Sequence, residues 1–254
     1  MPESKTQQVI EGCTEAEPWF PFSFPDEAHP GERTGATVEL LRHATGRMGL
    51  TLRIQKLPWT RCMHLVKDGR ILFAIDASPN EKREREFVFG EPLYALEQTM
   101  YSTQDASPAL ESGTLALSGL RICGIMGYNY EGLPFGHEQL DTSARNVRVM
   151  LKMLRAGRCD VALGYGFPYA EAARRGRLDL TGLAASPIPG AARRRFCVMA
   201  TRSETGRKLV ASLDWELAEM REDGSYFSIL KDFGAESQAI LGPVARHGAD
   251  AGVP

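Results

Sequence analysis

Arg83 is the residue of this chain best suited to bind an anion. It lies in the charged run Glu81–Glu86, five positions after Ser78 and seven after Asp76. A guanidinium presents a planar pair of N–H donors that matches the two oxygens of a carboxylate. The sequence therefore offers a carboxylate site at Arg83. The alternative is that Arg83 belongs to an ordinary solvated charge run.

A loop rich in proline and aromatic residues, Glu17–Pro25, also suits a small ligand. It holds three prolines, three phenylalanines and Trp19 within nine residues. Proline fixes the backbone and removes N–H donors, so the loop is predicted to be irregular and rigid. Trp19 offers an aromatic surface. Glu17 is a candidate partner for a cationic ligand group, with a solvated loop carboxylate as the alternative.

Spacing argues against metal sites and against the common catalytic motifs. The five cysteines lie singly, without the paired spacing of zinc or redox sites, at Cys13, Cys62, Cys123, Cys159 and Cys197. Buried thiols are expected, with one disulfide as the alternative. The chain has no G-x-S-x-G, H-E-x-x-H or P-loop motif, and no cofactor is expected.

Composition limits the protein class. The 254 residues, 43% of them hydrophobic, can bury a substantial core in one large domain or two smaller ones. A net charge of −2 gives no basic character for nucleic acid. No charge-free stretch is long enough to span a bilayer. The first residues lack the apolar core of a signal peptide, so we expect either a cytosolic protein or an exported one without its signal.

Hydrophobic periodicity predicts two α/β sets. In the first, helices at 37–49 and 59–67 alternate with strands at 7–13, 50–57 and 71–75, which indicates a parallel sheet. Ligands bind at the carboxyl ends of such strands, so the residues just after Ile75 matter most. The second set and the closing elements are predicted as strands 120–126, 160–164 and 196–200 and helices 143–155, 204–221 and 226–232.

These two sets predict an α/β fold of two lobes joined by two crossings, near 95–99 and 186–195. Lobe 1 would comprise 1–97 plus 196–235, and lobe 2 would comprise 98–195. The tail, 236–254, lacks a periodic stripe and is expected to be loose. Small ligands bind in clefts between lobes.

Several motifs, taken in order, resemble the bacterial extracellular solute-binding proteins of family 3, the polar amino-acid receptors of ABC importers. The resemblance covers about 10–234. Its motifs are Pro18-Trp-Phe-Pro-Phe22, Pro58-Trp-Thr-Arg61 (as in a Pro-Trp-x-Arg branch), Ser78-Pro-Asn-Glu-Lys-Arg83, Phe89-Gly-Glu-Pro-Leu-Tyr94, Leu117–Gly127, Leu154–Asp160 and Met220–Tyr226.

The resemblance implies a periplasmic-binding-protein-like fold of type II topology, with hinge closure on a small polar solute. It implies that Arg83 pairs with a ligand carboxylate, that Ser78 or the backbone beside it donates to the same group, and that Trp19 packs on the ligand. An Arg83→Ala variant is expected to fold normally and to lose the ligand. It also implies a periplasmic monomer without its export signal, working with an ABC permease and not with nucleic acid.

Further candidates line the expected cleft. Asn129 is placed at a helix N-terminus, where N–H groups attract anions, and Tyr128 beside it would face the cleft. Trp59 and Arg61 are expected either to wall the cleft or to cap the core of lobe 1. Ordinary loop packing is the alternative for Tyr128 and Asn129.

One departure from the family pattern concerns the ligand's α-ammonium group. Tyr165 stands where amino-acid receptors place an Asp or Glu. Asp76 is the candidate to replace that carboxylate from the first lobe. The ligand is therefore expected to be a carboxylate or a ring-bearing polar solute rather than a standard amino acid.

Two other functions share this fold. One is an enzyme resembling cyclohexadienyl dehydratase, which would need a carboxylate acid and base, for which Asp76, Glu17 and Glu91 are candidates. The other is the ligand-sensing domain of a receptor. A binding protein is the leading prediction, because the sequence contains no recognisable catalytic pair.

Overall fold

The computed structural model describes residues 8–103 and 119–240. The chain divides into two compact units, one formed by the segments up to Ala95 and from Arg195 onward, the other by Leu96 to Arg194. Within the described ranges, no helix has both the length and the apolar character that a membrane crossing requires.

The first unit is built on a six-stranded sheet. Its strands are β1 (Gln8–Glu15), β4 (Leu50–Leu57), β5 (Phe73–Ala77), β6 (Phe87–Phe89), β7 (Tyr94–Leu96) and β13 (Arg194–Thr201), and a small hairpin pairs β2 (Phe24–Pro25) with β3 (Arg33–Thr34). The order is β4-β1-β5-β13-β6, and β7 pairs with β13. β1 is parallel to β4 and β5, whereas β13 runs antiparallel to β5 and β6. The predicted parallel alternation is present in this sheet.

The described residues of the first unit form five helices: α1 (Ala36–Arg47), α2 (Trp59–Lys67), α3 (Glu81–Glu86), α6 (Glu204–Glu222) and α7 (Ser225–Asp232). α1 begins directly against the aromatic loop. The N–H groups of Ala36 and Thr37 donate to the carbonyls of Pro21 and Phe22. A Cβ on Gly35, which has a φ of 123°, would lie 2.4 Å from the Phe22 oxygen. Glycine is therefore needed there for loop and helix to meet.

The second unit is built on a five-stranded sheet of order β10-β9-β11-β8-β12. Its strands are β8 (Gln98–Thr103), β9 (Ile122–Ile125), β10 (Leu140–Ala144), β11 (Val161–Tyr165) and β12 (Leu183–Pro187), and its helices are α4 (Val147–Arg155) and α5 (Gly166–Arg174). β9 is parallel to β10 and β11, whereas β8 is antiparallel to β11 and β12. Its core includes Met100, Ile122, Val161, Leu163 and Ile188.

Two predicted elements need correction, and two helices were not predicted. Ser143 lies in β10 rather than in a helix, because Asn146 caps α4 by accepting from the Val149 N–H at 3.0 Å. α3 and α5 were not predicted. The tail predicted to be loose from 236 begins with a 3-10 helix, Glu236–Gln238, followed by a buried Ala239. The remainder of that tail, from 241, lies outside the described residues.

The expectation of five buried thiols is wrong for four of the cysteines. Cys13 of β1 is bonded to Cys62 of α2, and Cys123 of β9 to Cys159, just before β11. Packing of α2 on the sheet brings the Cα atoms of the first pair to 5.8 Å, and pairing of β9 with β11 brings those of the second to 5.7 Å, which sequence spacing did not reveal. Cys197 is a buried free thiol, and burial raises its pKa to about 12.

Removing the Cys13–Cys62 disulfide is expected to destabilise the first unit. A cross-link between residues 49 positions apart restricts the unfolded chain, which is worth about 2–4 kcal/mol. We expect the variant C13A/C62A to unfold at clearly lower urea concentration, with C197A as a control that leaves both disulfides intact. Equal midpoints for C13A/C62A and wild type would contradict this expectation.

Candidate functional site

Three parallel strands of the first unit end at one edge of its sheet. β1 ends at Glu15, β4 at Leu57 and β5 at Ala77, and Glu15 pairs with Leu57 in the parallel register. The residues that follow these strands include Trp19, Trp59 and Ser78. Ligands of α/β proteins bind at such an edge. Trp19, Trp59 and Ser78 thus follow strands that end at the same edge of the sheet.

The Arg83 side chain points into the first unit rather than into water. Asn80 caps α3 and accepts from the Arg83 N–H at 2.8 Å. The Arg83 Nη1 donates to the Ser78 carbonyl at 2.6 Å and contacts the Ser78 Oγ at 3.3 Å. Its guanidinium lies 5.7 Å from the centre of the Trp59 ring.

Arg83 is only 8% exposed, while its neighbours Glu81, Lys82, Glu84 and Arg85 are exposed. The alternative that placed Arg83 on a solvated charge run is therefore wrong. α3 turns one arginine inward and leaves these four charged neighbours in water, while Glu86 at its end is half-buried and pairs with Lys67. The structure joins Arg83, Ser78 and Trp59 in one buried cluster, hereafter the arginine cluster.

A second group of side chains forms a hydrogen-bond chain behind Trp19. The Trp19 Nε1 donates to the Tyr94 Oη at 2.9 Å, and this hydroxyl donates to the Asp76 Oδ1 at 2.8 Å. The Thr37 Oγ1 donates to the same oxygen at 2.7 Å. Asp76 itself has a φ of 57°, a conformation that costs energy for a residue with a side chain.

Burial strongly shifts the pKa values of the charged groups around this hydrogen-bond chain. Burial raises the pKa of Asp76 to about 6, although hydrogen bonds from Thr37 and Tyr94 and the positive charge of Arg33 oppose the rise. Burial lowers the pKa of Arg33 to about 10 against the attraction of Asp76 and Glu15. The Arg33 side chain donates to Ser23, through Nε to Oγ at 2.9 Å and through Nη2 to the carbonyl at 2.8 Å.

Glu15 ends β1 in the same region. Burial raises its pKa to about 7, and the charge of Glu17 adds to the rise, while the N–H of Ala16 opposes it. A carboxyl that keeps its proton longer when folded stabilises the folded state at low pH. This contribution is lost as pH rises from about 4.5 through about 7.

The variant Glu15→Gln tests this pH dependence. A neutral amide avoids burying a charge at high pH and still accepts from the Ala16 N–H. We expect the variant to be more stable than wild type by about 1–3 kcal/mol at pH 8 and nearly equal at pH 4.5. Urea unfolding at the two pH values measures the difference. A variant less stable at pH 8 would show that the Glu15 charge is stabilising.

The second unit gathers tyrosines where its parallel strands end. The group comprises Tyr101, Tyr128, Tyr130, Tyr165 and Tyr169. The rings of Tyr101 and Tyr169 lie 5.5 Å apart between centres. The Tyr130 hydroxyl contacts the Ile125 N–H and carbonyl at 2.5 and 3.3 Å. Burial raises the pKa of Tyr169 well above its ordinary value, and its four tyrosine neighbours contribute. This group is hereafter the tyrosine cluster.

Asn129 is buried, but not at a helix N-terminus as predicted. The chain after β9 continues as a loop to a 3-10 helix at His137–Gln139. Gly132, with a φ of 74°, and Pro134 interrupt any helix there. The Asn129 Oδ1 instead accepts from the Glu131 N–H at 3.1 Å, which makes a local turn.

Three other candidates belong to neither of the two clusters. Arg61 is exposed on α2, and Glu17 is half-buried. Glu91 lies beside α6, where its N–H donates to Asp214 at 2.8 Å. Among the described residues, no group of three or more His, Cys, Asp or Glu side chains could hold a metal ion.

Sequence reasoning missed three members of the Trp19 chain and its surroundings: Tyr94, Thr37 and Arg33. Tyr94 was quoted in a motif, but nothing in the sequence indicated which group its hydroxyl contacts. The positive φ of Asp76 was equally hidden, because only the fold imposes it.

Comparison with known structures places this arrangement in a known fold. A histidine kinase sensor domain similar to periplasmic binding proteins is 24% identical, with a TM-score of 0.72 over 90% of this chain and 97% of that one. A substrate-binding protein of an ABC uptake transporter from Streptococcus pneumoniae, with bound histidine, is 15% identical, with a TM-score of 0.74 over 92% and 95%.

A third similar structure is the ancestral amino acid-binding protein AncCDT-1, described as a precursor of cyclohexadienyl dehydratase. It is 16% identical, with a TM-score of 0.69 over 89% of this chain and 95% of that one. At these identities the likeness concerns the fold. A search of curated proteins finds no match.

The sequence pattern of one family covers most of the chain. It matches residues 13–236, a range that includes the three strand ends, the arginine cluster and the tyrosine cluster. The chain belongs to the bacterial extracellular solute-binding proteins, family 3.

Proposed function

We propose that this protein captures a small polar or carboxylate-bearing solute by hinge closure of its two units and delivers it to the permease of an ABC importer. The observation that carries the proposal is the arginine cluster. Its guanidinium is turned inward beside a serine and a tryptophan, at the carboxyl edge of parallel strands. Family membership supplies the closure mechanism.

Four candidates of the first unit have a chemical role in this proposal. Arg83 pairs with the solute carboxylate, and Ser78 donates to it. Trp19 and Trp59 supply aromatic surface. The solute-facing candidates of the second unit are Tyr128, Asn129 and Tyr165. Glu17, which is half-buried, and Arg61, which is exposed, are assigned no contact to the solute.

We propose that the protein acts in the periplasm, as a monomer. Two disulfides support this location, because such bonds persist in oxidising compartments and are rare in the cytosol. Fractionating cells that express the full gene tests it. Recovery of the protein from the cytosol, with reduced cysteines, would contradict the location.

A sensor domain is the second candidate, favoured by the similarity to a histidine kinase sensor domain. It would bind the same kind of solute, but its closed conformation would regulate a kinase. The genetic context distinguishes the two functions. An adjacent permease gene supports the importer, and a kinase encoded in the same gene supports the sensor.

An enzyme of the dehydratase kind is the third candidate, and AncCDT-1 shows that the fold is compatible with that history. Asp76 has the raised pKa that a general acid needs. Its carboxylate, however, already accepts two internal hydrogen bonds. We therefore rank binding above catalysis.

A thermal-shift screen tests the proposal. The panel holds the twenty amino acids, organic acids, amines and small cyclic metabolites, with inorganic salts of matched ionic strength as controls. A compound present at 100 times its dissociation constant stabilises by about 2.7 kcal/mol. Each stabilising compound is then incubated with the protein and followed by proton NMR.

We expect at least one carboxylate to stabilise the protein and to remain chemically unchanged. Conversion of the compound would favour the enzyme. A panel without any stabilising compound would contradict solute capture in the classes tested.

A further inference from the structure

The hydrogen-bond chain behind Trp19 has a direction fixed by chemistry. An indole N–H can only donate, so the Tyr94 hydroxyl must accept from it. The single proton of that hydroxyl is then available for Asp76, whose oxygen also accepts from Thr37. Burial and the Asp76 charge hold the pKa of Tyr94 well above its usual range, so the phenol keeps its proton.

Tyr94 is also held from both faces of its ring. Phe22 stacks on it at 3.7 Å between ring centres and 4° between planes, and Phe196 stacks at 5.0 Å and 9°. The ring centres of Trp19 and Phe196 lie 5.7 Å apart. The Tyr94 hydroxyl is therefore a fixed point between Trp19 and Asp76 rather than a freely rotating group.

The Asp76 carboxylate is buried within the first unit, although the residue as a whole is partly exposed. Oδ1 accepts two hydrogen bonds, and within the described part of the chain the buried Oδ2 has no hydrogen-bond partner. The charge of Arg33, itself anchored on Ser23, attracts the carboxylate from within the same unit. Both hydrogen bonds that the carboxylate accepts therefore come from donors of the first unit.

We propose that Asp76 is a positioning residue, which holds the indole of Trp19 through Tyr94, and that it does not itself pair with a solute ammonium group. The positioning of Trp19 matters for binding only if the proposed solute capture is correct. The hydrogen-bond chain can be tested without any solute.

The test uses the indole N–H signals of protein labelled with nitrogen-15. The sequence has three tryptophans, Trp19, Trp59 and Trp215, so three signals are expected and Trp→Phe variants assign them. Tyr94→Phe removes one hydroxyl and keeps the stacked ring. Asp76→Gly removes the carboxylate and tolerates the positive φ, whereas Asp76→Asn keeps an acceptor oxygen.

We expect Tyr94→Phe and Asp76→Gly to speed solvent exchange of the Trp19 indole proton by about 5- to 20-fold, because a buried hydrogen bond is lost. Asp76→Asn should restore slow exchange. The matched control is Tyr226→Phe, which removes another buried phenol of this unit, one that donates to the Leu93 carbonyl at 2.5 Å. It should leave the Trp19 signal unchanged.

Unchanged Trp19 exchange in both Tyr94→Phe and Asp76→Gly would overturn the proposal. If Tyr94→Phe fails to fold, the Asp76→Gly and Asp76→Asn pair decides. A calorimetric arm uses the amino acid that gives the largest thermal shift in the screen. Asp76→Asn should keep its affinity within about threefold, and a loss beyond about tenfold with a normal Trp19 signal would instead assign Asp76 to the ammonium group.

A screen without any binding compound, together with the expected indole results, would overturn the proposed function and leave the Asp76 chain supported. The two claims therefore fail by different measurements.

Discussion

Replacing Arg83 with alanine is expected to weaken binding of the best-stabilising carboxylate by about 30-fold to several thousand-fold. Loss of a charge-assisted, bidentate pair costs about 2–5 kcal/mol in affinity. Calorimetric titration of wild type and variant measures the difference. Lys82→Ala is the matched control, because Lys82 is the exposed neighbour on α3 and should leave the affinity unchanged.

The structure changes what is expected for the folding of Arg83→Ala. Arg83 was expected to leave folding nearly unaffected, as a side chain that is hydrated without ligand. It is instead buried and donates to the Ser78 carbonyl at 2.6 Å. We therefore expect Arg83→Ala to lose about 1–3 kcal/mol of stability as well. An Arg83→Ala variant that is folded and binds within a few fold of wild type would remove Arg83 from the site.

A carboxylate without an α-ammonium group is expected to bind at least about tenfold more tightly than the amino acid with the same skeleton. An ammonium group closed away from water needs an anionic partner, and leaving it unpaired costs several kcal/mol. Tyr165, at the end of β11, offers a phenol that is neutral near pH 7. A cation–π interaction with the faces of nearby tyrosines would stabilise the ammonium group by only about 0.5–2 kcal/mol.

Matched pairs make this prediction measurable: L-histidine against 3-(imidazol-4-yl)propanoate, and L-arginine against 5-guanidinopentanoate. Tyr165→Asp should shift the preference toward the amino acid of each pair. If the amino acids bind more tightly to wild type, and Asp76→Asn abolishes that binding, the ammonium site lies in the first unit. Both the inference from Tyr165 that the ammonium site is absent and the positioning role of Asp76 would then be wrong.

The sequence predicted the elements whose periodicity is strong. β4 and α2 have the predicted bounds, 50–57 and 59–67, because alternating and helical patterns there coincide with clear breaks at Gly49, Pro58 and Asp68-Gly69. β8 and β12 were missed, since their antiparallel pairing depends on segments far apart in sequence. α3 was missed because its six residues are all charged and show no apolar stripe.

The candidate site was predicted in its residues more than in its contacts. Motif resemblance singled out Arg83, Ser78 and Trp59, which the fold joins into the arginine cluster. The partners of Asp76 could not be predicted, because Thr37 and Tyr94 are 39 and 18 positions away and only tertiary packing brings them together. The disulfides were hidden for the same reason.

Small-angle X-ray scattering, with and without the compound that stabilises the protein most, tests solute capture by closure most directly. We expect a smaller radius of gyration at saturating compound, with one compound bound per chain by calorimetry. For Arg83→Ala at the same concentration we expect no such decrease. A saturated wild-type protein with an unchanged radius of gyration would contradict hinge closure.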